Sequence, residues 1–277
     1  MNEINVKDIL IANNYRYNKA LGQNFITDAN LLNAIVSDAK VSDNDTVVEI
    51  GTGAGTLTRA IAQKAKKVYS FELDKNLIPI LDVSLKGLDN VEVVFKDVLK
   101  LRDDELESIV GENFKVVANL PYYVTTPMIM RFLESGLKVD SVTVMVQKEV
   151  ANRLVADCKS KDYAAISLAV EMYGGASITR DVNRKMFFPV PNVDSAVVRI
   201  DVDRKKLVGV DYGKLSKLIR ISFAMRRKML TNNLMAGYKI TRERATEVLR
   251  ACGISESVRG EALSLEEYLK IYHEIYK

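Results

Sequence analysis

The stretch Thr46–Leu57, which reads TVVEIGTGAGTL, constrains this chain more than any other. Thr46 to Ile50 has the composition of a buried strand. Gly51, Gly53 and Gly55 follow at every second position, and Leu57, Ala60 and Ile61 then begin a helical apolar spacing. Strand, tight glycine turn and helix make the start of a βαβ unit, which sets backbone N–H groups and a helix N-terminus beside a ligand. Glycine belongs where the chain turns through unusual φ/ψ and where a ligand lies against bare backbone. A helix-entry turn is the other reading of such a loop taken alone.

The nicotinamide-type fingerprint wants glycine or alanine five residues after its first glycine. That position is Thr56 here, and the glycines run G-x-G-x-G instead. Two acids follow at strand ends. Glu72 lies at the end of the strand candidate Val68–Leu73, where its carboxylate can accept from both hydroxyls of a ribose. Asp97 closes the candidate Val91–Lys96 and can accept from an adenine amine. Such ends lie at the carboxyl edge where open α/β sheets bind ligands.

Further strand candidates are Lys115–Asn119, Ser141–Val146, Ser177–Val182 and Ser195–Val202. Helical spacing covers Val6–Ala12, Leu57–Ala65, Leu77–Leu85, Thr126–Leu133, Lys148–Asp157 and Ala164–Tyr173. The alternation predicts an α/β, doubly wound and mainly parallel sheet. No crossover helix separates the last two strands, which lets the final one run antiparallel. Beyond Asp203 the strand signals stop, and Tyr212–Leu234, Thr241–Ala251 and Leu265–Tyr276 have helical periodicity. Two domains are expected, residues 1–204 with an N-terminal arm and a helical domain over residues 205–277.

Charge divides along the same line. From Asp203 onward 16 basic residues face nine acidic ones, whereas the rest of the chain is mildly acidic. A basic tail region on an acidic body suits a polyanionic partner. Arg220, Arg226, Arg227 and Lys228 are the candidate phosphate contacts, with Arg220 and Arg227 expected on one helical stripe near Lys217. The segment Asn13–Lys19 mixes basic and aromatic residues in a way that suits an RNA-touching arm, and its composition suits a surface lead-in at least as well. The single histidine, His273, and the two unspaced cysteines, Cys158 and Cys252, argue against histidine catalysis and a His/Cys zinc site. No apolar run is long enough to span a bilayer and the N-terminus has no signal-peptide pattern. A cytoplasmic monomer with no membrane partner is expected.

The chemistry concentrates in Asn119-Leu120-Pro121-Tyr122. Asn119 offers a side-chain acceptor oxygen and Leu120 a backbone carbonyl. Two acceptors converging on an exocyclic amine hold both its hydrogens and aim its lone pair at an electrophile. Tyr122 offers a stacking face. A second aromatic element, Phe187–Ser195 (FFPVPNVDS), is stiffened by Pro189 and Pro191. Phe187 or Phe188 opposite Tyr122 would sandwich a flipped base, although composition alone favours hydrophobic packing for that phenylalanine.

Together, residues 119–122 and the loop 49–55 (EIGTGAG) resemble the S-adenosylmethionine-dependent rRNA adenine N6-dimethyltransferases. The resemblance extends from residues 21–25 (LGQNF) through 187–195 to 222–228 (SFAMRRK), nearly the whole chain. It implies a Rossmann-like methyltransferase sheet with a small helical C-terminal domain. It assigns the cofactor S-adenosylmethionine, without metal, to Asn24, Ile26, Gly51, Glu72, Asp97 and Asn119. Base stacking falls to Tyr122 and Phe187, and the amine to Asn119 and the Leu120 carbonyl. Thr52 departs from the proline frequent in the family's glycine loop. One branch of the family dimethylates two adjacent adenosines near the 3′ end of small-subunit rRNA within the subunit or its precursor. The other modifies large-subunit rRNA and confers antibiotic resistance. The segments at 22–25 and 223–228 and the sizeable C-terminal domain are more similar to the first. A non-catalytic assembly factor would carry a degenerate Asn119 motif, which is intact here. A nicotinamide dehydrogenase is disfavoured by Thr56.

Overall fold

The computed structural model describes residues 6–13, 15 and 22–277. The expected RNA-touching arm falls mostly on residues outside these. The chain runs α1 (Val6–Ala12), β1 (Phe25–Ile26), α2 (Ala29–Asp38), β2 (Thr46–Ile50), α3 (Thr56–Ala62), β3 (Lys67–Phe71), α4 (Ile78–Ser84) and β4 (Val91–Val94). Next come α5 (Asp103–Val110), β5 (Phe114–Asn119), α6 (Thr125–Leu133), β6 (Val139–Gln147), α7 (Lys148–Leu154) and α8 (Ala165–Tyr173). Then follow β7 (Gly174–Val182), β8 (Phe187–Phe188), β9 (Ser195–Val202), α9 (Tyr212–Phe223), α10 (Leu230–Tyr238), α11 (Arg242–Ala251) and α12 (Leu265–Ile275).

Packing divides the chain into two units, residues 1–151 with 177–202, and 152–176 with 203–277. The segment 152–176, expected in the first domain, groups with the C-terminal helices. Its Tyr163 is buried and donates its hydroxyl to the Leu263 carbonyl at 3.1 Å.

In the first unit a seven-stranded sheet has the order β4-β3-β2-β5-β6-β9-β7. The pairs β2/β3, β3/β4, β2/β5 and β5/β6 are parallel, and β9 runs antiparallel to β6 with Gln147 opposite Ser195. The doubly wound sheet predicted by alternation is therefore present, with its antiparallel final strand. Central strands covered on both faces read as continuous apolar runs: Val47, Val48, Val116 and Val117 are all buried. Asp28 starts α2 by accepting from the Leu31 N–H at 2.8 Å, a cap of about 1 kcal/mol.

Some elements differ from the sequence reading. β3 and β4 are shorter than expected, so Glu72 and Asp97 stand just past the strands. The sequence shows no clear helical period over α5, because only Leu106 and Val110 of its eight residues are buried and half of them are acidic. The β1/β8 ladder, two residues a side, is too short to leave a pattern.

The largest difference lies in the second unit. The single helix expected over Tyr212–Leu234 is two helices, α9 and α10, joined by a turn at residues 224–229. The buried Asn233 explains it. Its Nδ2 donates to the Ser222 carbonyl at 2.7 Å and to the Met225 carbonyl at 3.5 Å, and so occupies acceptors that a continuing helix needs. Around this turn Leu218, Leu230, Leu249, Tyr268 and Ile271 form the apolar interior of the unit. Among the described residues no helix is long and apolar enough to cross a membrane.

Candidate active site

The carboxyl edges of β2 to β5 and the segment before α2 enclose a cavity of about 240 Å³. Asn24, Ile26, Gly51 and Glu72 line it, as do Asp97, Asn119, Leu120 and Tyr122. Eight of the nine residues expected to bind cofactor or act on the amine thus share one cleft.

The glycine loop forms its floor. Gly51, Gly53 and Gly55 have φ of +81°, +55° and +79°. At Gly53 the requirement is double, since a Cβ would also lie 3.1 Å from the Phe25 ring. Bare backbone thus faces the cleft where a bulky ligand fits against it.

Glu72 closes one side. Its Oε2 accepts from the Gly53 N–H at 2.8 Å, and its Oε1 from the Leu73 and Asp74 N–H groups at 2.7 and 2.9 Å. Three backbone donors fix the carboxylate: two occupy both lone pairs of Oε1, and Oε2, with one donor, keeps a lone pair for a ribose hydroxyl. Asp97 caps the turn Val98–Lys100 by accepting from the Leu99 N–H at 3.0 Å.

Asn119 ends β5. Its Nδ2 donates to the Asn24 carbonyl at 2.9 Å. That bond commits the amide nitrogen and leaves Oδ1 as the free acceptor of a residue that lines the cleft. Pro121 follows Leu120, and among the described residues the Leu120 carbonyl has no donor. Tyr122 opens a turn over Tyr122–Val124, half-buried, with its hydroxyl 2.9 Å from the Ser195 Oγ. Burial raises the Tyr122 phenol above its ordinary pKa, against the lowering effect of the Ser195 bond.

Phe187 is not brought to this cleft. It pairs with Ile26 across the β1/β8 ladder, is 3% exposed, and belongs to the same buried apolar cluster as Ile26, Met145, Val182 and Val197. Composition alone had favoured that packing, and the structure adopts it. Phe188 is only partly buried.

Several supporting residues left no sequence signal. Behind the loop, Thr58 and Ser70 each donate to Glu49 Oε2 at 2.6 Å, and Ser70 also meets Thr52 at 2.7 Å. Glu49 is wholly buried and its Oε1 has no partner. Burial pushes its pKa from 4.5 up to about 8, so it is protonated at neutral pH. In front, Asp74 accepts from the Tyr15 hydroxyl at 2.7 Å and from Gln23 Nε2 at 3.0 Å. Burial works to raise the Asp74 pKa, but bonds from Tyr15, Asn76 and Gln23 outweigh it and hold the carboxyl below the usual range. Glu49 carries a hint, as a lone carboxyl inside an apolar strand, and Gln23 another, within the segment LGQNF over which the resemblance extends.

In the second unit Arg220, Arg226, Arg227 and Lys228 are all exposed. Arg220 lies on α9, and the other three lie in the turn at residues 224–229 rather than on a helical stripe. Arg226 pairs with Glu261 at 3.4 Å.

The model of the ribosomal RNA adenine dimethylase family matches residues 14–277. A ribosomal RNA small subunit methyltransferase A of Clostridium acetobutylicum is 44% identical, with all of both chains aligned. One of Alkaliphilus oremlandii is 46% identical over 95% of this chain and 93% of that one. Among solved structures, the 23S rRNA methyltransferase ErmE superposes with a TM-score of 0.70 at 25% identity, over 91% of this chain and all of that one. A dimethyladenosine transferase from Plasmodium falciparum superposes with a TM-score of 0.77 at 24% identity, over 91% and 97%. With its glycine loop, its paired acids and its Asn119 turn in one cleft, the chain belongs to the ribosomal RNA adenine dimethylase family.

Proposed function

We propose that this protein dimethylates N6 of two adjacent adenosines near the 3′ end of small-subunit rRNA, within the small subunit or its precursor, as a cytoplasmic monomer that acts in subunit biogenesis. The observation that carries the mechanism is the 2.9 Å bond from Asn119 to the Asn24 carbonyl. It commits the amide nitrogen and so supports a role for the Asn119 oxygen as an acceptor, in the same cleft as Leu120.

The residues present fit S-adenosylmethionine: a floor of bare glycine backbone, a fixed carboxylate at Glu72 for the ribose and another at Asp97 for the adenine amine. When bound, it supplies a methyl group activated by a sulfonium. The protein does the rest by placement. A target adenosine turned out of its stack meets the face of Tyr122. Asn119 Oδ1 and the Leu120 carbonyl accept its two N6 hydrogens, which draws the nitrogen lone pair from the ring and stabilises the positive charge that develops there. The resulting ammonium loses its proton to water without a strong base. Arg220, Arg226, Arg227 and Lys228 track phosphates of the same RNA.

The large-subunit alternative is weaker on one specific ground. Full-length identity of 44% to a small-subunit enzyme exceeds the 25% to ErmE. The test is transfer of tritium from labelled S-adenosylmethionine to small subunits that lack these methyl groups, with large-subunit RNA in parallel. Incorporation approaching four methyl groups per small subunit, as N6,N6-dimethyladenosine, supports the proposal. Label confined to large-subunit RNA makes this a resistance-type enzyme, and label in neither leaves a binding role.

A further inference from the structure

Tyr122 and Tyr123 are consecutive residues of one 3₁₀ turn, Tyr122–Val124, entered through Pro121 at φ −57°. Three residues per turn send neighbouring side chains out about 120° apart. Tyr122 goes inward to Ser195. Tyr123 is 59% exposed, although it lines the same cavity. Its hydroxyl makes no hydrogen bond among the described residues.

The ring is nonetheless held. Gly22, at φ +59°, lies against it: a Cβ there would sit 3.5 Å from Tyr123 Cε1, 3.6 Å from Cδ1 and 3.4 Å from the Pro121 Cβ. Pro121 stiffens the turn on the other side. The result is a large aromatic surface, backed by Gly22 and Pro121 and otherwise exposed, on the wall of the cavity that also holds Asn119. An isolated exposed apolar residue needs no explanation in general, but this one stands where single-stranded bases arrive, and aromatic rings are the usual platforms for them.

We propose that Tyr123 is a second stacking platform, which takes the nucleobase adjacent to the adenosine being methylated. The inference rests on the reading that the target base is turned out beside Tyr122 and Asn119. Because both neighbouring adenosines are substrates, the one outside the cleft is the natural occupant. Its π-face, not its edge, is read. The subsite therefore tolerates any base and holds the strand in register while the first methylated nucleotide is exchanged for the second.

The test uses the full-length protein and a hairpin RNA whose loop carries two adjacent adenosines, one replaced in turn by fluorescent 2-aminopurine. Wild type quenches the probe at the flanking position. Tyr123→Ala is expected to lose that quenching and to bind about ten-fold more weakly, the size of one base–aromatic stack. The slope of binding against salt stays as in wild type, since the substitution removes no positive charge. Tyr123→Phe keeps both quenching and affinity. Wild-type quenching in the alanine variant overturns the proposal. So does a phenylalanine variant as impaired as the alanine one, which would assign the effect to the hydroxyl, or an equal loss of S-adenosylmethionine affinity, which would make the ring a wall of the cofactor cleft. Methylation of small subunits by wild type is followed alongside. Its failure counts against the assigned reaction alone, because the fluorescence reads Tyr123 directly.

Discussion

The Tyr122 and Ser195 hydroxyls lie 2.9 Å apart and join the turn after β5 to the first residue of the antiparallel strand β9. Ser195 is wholly buried, opposite Gln147 on β6. The Tyr122 ring, proposed to face the target base, is thus fixed by a strand on the far side of β6. Ser195→Ala frees the phenol and leaves a half-buried hydroxyl without its partner. A roughly five-fold loss of kcat is expected, consistent with about 1 kcal/mol for one net hydrogen bond. Tyr122→Phe should lose a similar amount, and the double variant no more than either alone. Additive losses in single-turnover methylation would show that the two residues act separately.

Glu72 is a rigid acceptor built from three backbone donors. Glu72→Gln removes the charge and one acceptor while keeping the shape. S-adenosylmethionine Kd is expected to rise about ten- to one-hundred-fold, the range for charge-assisted hydrogen bonds. Titration calorimetry reads this directly. An unchanged Kd would take Glu72 out of the cofactor site.

Glu49 makes stability depend on pH. Its folded pKa, about 8, lies above its ordinary 4.5, so between these values the folded state holds a proton that the unfolded chain has released. Stability is therefore lost as pH rises through that window, by up to about 1.4 kcal/mol per pH unit. Glu49→Gln has no proton to lose and should flatten the profile, with its advantage over wild type largest near pH 8. Urea unfolding at pH 5, 6.5 and 8 distinguishes the two. Parallel profiles for variant and wild type would mean that Glu49 is ionised in the fold.

Phe187 is a core residue by its packing. Phe187→Ala should destabilise the protein by about 3 kcal/mol or more, as large-to-small core changes do, visible as a shifted urea midpoint. A base-stacking phenylalanine would behave oppositely, leaving the midpoint in place and weakening RNA methylation.

In the turn between α9 and α10, Arg227 and Lys228 are exposed, and Arg226 is partly neutralised by Glu261. Charge reversal at Arg227 and Lys228 should weaken rRNA binding. It should also flatten the dependence of log K on log salt by nearly one unit for each phosphate that the protein no longer neutralises. Arg226→Glu should do less. An unchanged slope would move the phosphate-tracking surface off this turn.

What the sequence determined by itself is the succession along the chain of most strands and helices of an alternating, mainly parallel sheet, and the chemistry just after β2, β3, β4 and β5. Alternation and turn residues are local signals, and Thr46–Leu57, Glu72, Asp97 and residues 119–122 each carry theirs within a few neighbours. Tertiary structure alone decided which of these groups are aimed. Asn119 is turned by Asn24, 95 residues away, and Tyr122 is held by Ser195 at a separation of 73. Phe187 went to the core through its pairing with Ile26 and a buried apolar cluster, on a ladder of two residues too short to mark either strand in the sequence. The break after Phe223 came from Asn233, whose amide takes the Ser222 carbonyl that a continuing helix would use. Hydrogen bonds and packing between distant residues depend on separations in space, and a linear pattern contains no record of those.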